Sequence, residues 1–117
     1  MFYRKNIFDV PLVPEVAHGG EGEIMTRRIA HSDDVDSRCN FIDYTEMPPG
    51  TSIGLHTHNV SEEEFYLIVS GSGEMTANGD SFKVRPGDVI RNPPGGTHSL
   101  RNTGSETLGL FVFEVGV

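Results

Sequence analysis

Two histidines one residue apart, His56 and His58, open the stretch "HTHNVSEEEF", and three glutamates follow after a short polar gap. Residues i and i+2 of a strand project to the same face, so both imidazoles can be offered to one point in space. A carboxylate from Glu62, Glu63 or Glu64, at the start of the next strand, adds an anionic donor, and His98, behind the tight turn "NPPGG", supplies a fourth candidate. Imidazole and carboxylate donors together suit a divalent transition metal (Mn, Fe, Ni, Zn or Cu) rather than Ca or Mg, which prefer all-oxygen shells. Four such donors leave an octahedral ion with open positions, which a bidentate small acid, an ene-diol or dioxygen would occupy.

The elements that position these residues read as strands. Helical periodicity is nearly absent, and about eight strand-like runs after residue 23 alternate with turn chemistry, the signature of an all-β sandwich or barrel. Asn78-Gly79 is a two-residue hairpin turn, and Pro86-Gly87 suits a type II turn. "AHSDDVDSRCN", residues 30–40, reads as a solvated loop or short turn. The expectation is one domain over residues 1–117, an antiparallel barrel or jelly roll with an N-terminal strand and loop extension over 1–35.

Composition narrows the partners. The 17 acidic against 9 basic side chains give a formal charge of −8, with no Lys/Arg block to neutralise a phosphate backbone, so no nucleic acid is expected. No run reaches membrane-spanning length, and "MFYRKNIFDV" lacks the apolar core of a signal peptide. The lone Cys39 allows no internal disulfide, fits a reducing compartment and reads as a small packed hydrophobe. A soluble, cytoplasmic protein without a membrane partner is the expectation. "LGLFVFEV" and "FYLIVS" are apolar on both faces, which predicts a symmetric homodimer that covers the surplus.

The segment "GTSIGLHTHNVSEEEFYLIVSG", residues 50–71, resembles the first motif of the cupin superfamily, with Gly50, His56, His58, Glu64 and Gly71 on its positions. "GDVIRNPPGGTHSLRN", residues 87–102, resembles the second, filled by Gly87, Pro93, Gly95, His98 and Asn102. The resemblance implies a compact cupin, a double-stranded β-helix, with His56, His58, Glu64 and His98 as metal ligands. One departure stands out: five residues separate His58 from Glu64, where three or four are usual. Glu63 restores the usual gap but spoils the distance to Gly71. Glu64 is preferred because a loop absorbs an extra residue more easily than a paired strand does. Glu63 is its substitute, and Glu62 is placed in solvent.

With Glu64 inward, Tyr66 and Ile68 would line the cavity, and Arg91 and Tyr44 are further pocket candidates. Asn102 is read as tying down a turn, and His18 and His31 as surface residues. The resemblance implies dioxygenases, oxalate-type decarboxylases, sugar and uronate isomerases, or lyases. The residues select none of these; Tyr44, Asp43 and Glu114 are possible acid or base groups, each read as structural. Two functions remain in view: a small metalloenzyme acting on an oxygenated metabolite (a carboxylic acid or sugar derivative), and a non-catalytic module that binds a metal and a small ligand.

Overall fold

The computed structural model describes residues 2–117 and is all-β. Its strands are β1 (Val13–Glu15), β2 (Ile24–His31), β3 (Cys39–Met47), β4 (Ser52–Thr57), β5 (Glu62–Ser70), β6 (Gly73–Ala77), β7 (Asp80–Val84), β8 (Val89–Asn92), β9 (Thr97–Arg101) and β10 (Leu108–Gly116). They form two antiparallel sheets, one in the order β1-β2-β3-β10-β5-β8 and the other β4-β9-β6-β7, which face each other as a jelly-roll barrel. Among the described residues, no helix is long and apolar enough to cross a membrane.

Local chemistry sets the turns. Asn78 and Gly79 both take positive φ, 47° and 88°, and join β6 to β7 with Ala77 paired to Asp80. Gly87 has φ 93° after Pro86, and the Asp88 N–H donates to the Arg85 carbonyl across that turn. The stretch over residues 30–40 is a loop only in its middle: β2 runs to His31, a 3-10 turn spans Ser32–Asp34, and β3 starts at Cys39.

Alternation sorts the side chains. On β5, Glu64, Tyr66 and Ile68 are buried between the sheets, while Phe65 and Leu67 face outward and are half-buried. The core beneath the cavity is Met47, Ile68, Met75, Leu100, Leu108 and Leu110, all nearly without exposure. On the other side of the six-stranded sheet, Phe65 and Leu67 pair with Phe113 and Phe111 of β10, which pair in turn with Ile42 and Tyr44 of β3. The result is a half-buried apolar stripe on the outer face.

One irregularity matters for chemistry. Ile53 pairs with Leu100 but His56 with His98, so β4 advances three residues while β9 advances two. This bulge at Gly54–Leu55 turns both Ile53 and His56 inward and leaves Leu55 exposed. Without it, strand parity would put Ile53 and His56 on opposite faces.

Candidate metal centre

β4 and β9 bring His56 directly opposite His98, His58 follows the end of β4, and Glu64 reaches in from β5. One donor atom from each of these four residues lies within 4.8 Å of the others. His58 Nε2 is 2.7 Å from His98 Nε2, and Glu64 Oε1 is 3.3 Å and 3.6 Å from those two nitrogens. The His56 Nδ1–H donates to the Gly54 carbonyl at 2.7 Å, which fixes the tautomer and leaves Nε2 with its lone pair free. Glu64 is 5 % exposed and His98 2 %, yet Glu64 Oε1 and His98 Nδ1 are buried without a hydrogen-bond partner. Of these, Glu64 Oε1 faces the Nε2 atoms of His58 and His98, and such a convergence costs free energy unless a cation or proton sits within it, so the donor set fits a divalent transition metal.

Burial governs the electrostatics. It pushes the Glu64 carboxyl up to about 8, reinforced by Glu114 and, more weakly, Asp43 and Glu62, while the Tyr66 hydroxyl pulls it back. Burial also lowers His98 to about 3, with the neighbouring histidines His56, His58 and His18 adding to the effect. His56 is lowered by burial as well, opposed by its bond to the Gly54 carbonyl.

These shifts give a pH dependence for the metal-free protein. Folded Glu64 keeps its proton up to about pH 8, whereas the unfolded chain releases it near 4.5, so stability falls as pH rises through that window. His98 acts oppositely: the unfolded chain gains a proton below 6.5 and the folded one only near 3, so stability falls as pH drops through that range. Between 6.5 and 8 only the Glu64 contribution remains, about 2 kcal/mol at most. In chelator, the melting temperature should therefore drop from pH 6.5 to 8, and Glu64→Gln should flatten that slope. A wild-type curve without the drop would show that Glu64 is already ionised.

His56, His58 and Glu64 line a cavity of about 390 Å³ that Tyr66 also lines, and His98 stands beside them on β9, opposite His56. Three other pocket candidates do not line it. Asp43 and Thr45 take the inward positions of β3, so Tyr44 faces outward and packs on Phe111 with ring centroids 5.1 Å apart. Asn92 takes the inward position on β8, so Arg91 points out and its Nε donates to Glu63 Oε2 at 2.6 Å. Ile68 is wholly buried in the core. Glu63 is thus an outer-face partner of Arg91, while Glu64 joins the histidines.

Several residues outside the four-donor set also line or border the cavity. Glu62 is half-buried instead of solvated, and its Oε2 is 3.8 Å from His58 Nδ1. Glu114 stands directly opposite Glu64 on β10 and accepts from Asn40 Nδ2 at 3.0 Å. Arg28 clamps Asp43 through both carboxylate oxygens and covers the Phe41 ring. His18, although exposed, lines the cavity and stacks on His56. Alternation along β2 could have flagged Arg28, and Glu114 is among the acid or base candidates of the sequence; no local signal marks His18. His31 is exposed, and its backbone N–H is capped by Asp34.

Comparison with known proteins places this arrangement. A family model described as a cupin domain matches residues 43–114. An oxalate-binding protein from Thermotoga maritima is 33 % identical over 90 residues, 77 % of this chain and 74 % of that one. A 5-nitrosalicylic acid 1,2-dioxygenase from a Bradyrhizobium species is 31 % identical over 64 residues, 55 % of this chain and 30 % of the relative. The crystal structure of a predicted oxalate decarboxylase from Thermotoga maritima superposes with a TM-score of 0.92 at 26 % identity, covering 96 % of this chain and 97 % of the other.

Proposed function

This chain belongs to the cupin family, and from that premise we propose that it holds a small dicarboxylate of the oxalate type against a divalent transition metal bound by His56, His58, Glu64 and His98. The observation that carries this reading is the convergence of four buried or half-buried donors, three of them lining the cavity, with Glu64 Oε1 unpartnered among the imidazoles. The similarity to an oxalate-binding protein supports the ligand class. Such a metal supplies positive charge and open coordination positions that polarise a bound carboxylate.

The chain's own residues do the rest. Gly54 fixes the His56 tautomer through its carbonyl, and Glu64 contributes the one anionic donor. The rest of the cavity is acidic: Glu15, Asp43, Glu62, Glu64 and Glu114 line it against the single guanidinium of Arg28, which Asp43 already engages. A free dianion is therefore repelled until a cation occupies the donor set. Calorimetry should find oxalate binding to Mn- or Zn-loaded protein and binding at least about a hundredfold weaker in chelator. Equal binding in both would overturn the reading.

Glu62 and Glu114 favour a catalytic version, because both carboxyl groups share the cavity and neither belongs to the four-donor set. Proton-consuming conversion of oxalate to CO₂ and formate by the loaded protein would make it an enzyme; tight binding without product makes it a binding module. The outer apolar stripe supports the seating of a second copy of the chain there.

A further inference from the structure

We propose that His18 is a positioning residue of the metal centre, its ring face holding the His56 imidazole in the orientation that the donor set requires. This rests on the metal-binding reading above and concerns a residue outside the four donors.

His18 belongs to a 3-10 turn, Ala17–Gly19, that is fastened to β4 at several points. Ala17 is buried in the core cluster, the Ser52 N–H donates to the Glu21 carbonyl at 2.9 Å, and the Glu21 N–H donates to Ser52 Oγ at 2.8 Å. Between these anchors the two backbones touch. A Cβ at Gly54 would overlap the His18 carbonyl oxygen, and a Cβ at Gly20 would overlap the Ser52 carbonyl oxygen, so only glycine permits the approach.

The conformation at His18 is unusual for its type. Its φ of 51° and ψ of 39° lie in the left-handed region, which costs a residue with a Cβ free energy unless the surroundings over-determine it. The result is specific: the His18 ring lies 3.6 Å from that of His56 with only 7° between the planes. His56 needs that support. It is half-buried where His98 is fully buried, and the bulge that aims it inward leaves its ring edge held by one bond, to the Gly54 carbonyl. His18 supplies on the ring face the packing that burial supplies to His98. Gly54 thus serves three ends at once: it forms the bulge, accepts the hydrogen bond from His56 Nδ1–H, and lets the His18 turn approach.

Two variants of the full chain separate this role from a merely structural one. His18→Gly removes the ring and relieves the left-handed backbone, so the fold is retained. His18→Phe keeps a flat ring but no nitrogens. Each is loaded with Co(II), and both affinity, by chelator competition, and the visible ligand-field bands are read. The Gly variant is expected to bind about tenfold more weakly with shifted bands, the scale typical of groups that orient metal ligands. The Phe variant is expected to restore both. Wild-type affinity and bands in the Gly variant would overturn the proposal. So would a Phe variant as weak as the Gly variant, because His18 would then act through its nitrogens. A metal-independent arm uses chelated protein, in which the ring current of His18 should shift the His56 ring protons upfield in the wild type and not in the Gly variant; no shift in the wild type also overturns the stacking. If the wild type takes up no Co(II), the metal-centre reading fails first, and an ordinary wild type beside an unaltered Gly variant defeats this proposal alone.

Discussion

Glu64→Gln is expected to lower metal affinity by at least about a hundredfold, while Glu63→Gln leaves it nearly unchanged. Groups that merely orient metal ligands cost about 10- to 100-fold when mutated, and loss of an anionic donor costs more. Glu64 Oε1 is the only carboxylate oxygen in the four-residue donor group. Glu63 points the other way, to Arg91, whose side chain is 59 % exposed, so its removal forfeits a surface ion pair worth at most about 1 kcal/mol. Thermal melts with and without Zn(II) give a second readout. At free metal a hundredfold above the dissociation constant, binding stabilises the wild type by about 2.7 kcal/mol, an increment that Glu64→Gln should lose and Glu63→Gln keep. The reverse pattern would mean that β5 runs one residue out of the register described.

Asn102→Ala is expected to destabilise the fold by about 3 kcal/mol or more. Asn102 is 1 % exposed, and its Nδ2 donates to the carbonyls of Met47 at 2.8 Å and Glu106 at 2.7 Å. Its Oδ1 accepts from the Gly104 N–H at 2.9 Å. One amide thereby joins the end of β3 to the loop before β10. Truncation would orphan the buried Met47 carbonyl, which costs about 1–3 kcal/mol, and would lose two part-buried bonds worth about 0.5–1.5 kcal/mol each. Chemical denaturation of the metal-free protein measures the loss without interference from ligand binding. A change under about 1 kcal/mol would show that water replaces the amide.

What could be read from the sequence was chemistry that is local. The pairs Asn78-Gly79 and Pro86-Gly87 declare their turns because few other residues tolerate the φ values needed there. Parity relates His56 to His58, but parity alone does not say that Ile53 shares their side, since the bulge depends on contacts that the segment "SIGLHT" does not contain. Tyr44 shows the same limit: "FIDYTEM" is apolar enough on both sides that only its pairing with β10 decides that Asp43 and Thr45 turn inward. His18 was illegible for a different reason. It reaches the site through a backbone contact between Gly20 and Gly54, residues 34 positions apart, and no spacing rule connects them. Glu62 and Glu114 likewise meet His58 only after β5 and β10 have paired.

That pairing has a consequence for the order of events in folding. β10 lies between β3 and β5, yet it is the last of the ten strands in the chain. Leu108 must find Met47, roughly 60 residues back, before the larger sheet has a middle. During synthesis β5 therefore lacks its β10 neighbour until Gly116 has left the ribosome, and Glu64 has Asn92 of β8 on one side but not yet Glu114 on the other. The histidines of β4 and β9 can meet earlier, so a nascent chain offers imidazoles before it offers a finished centre. Metal captured at that stage would be held loosely and open to exchange, and the closing of the final strand would be the step that commits the protein to the ion it keeps.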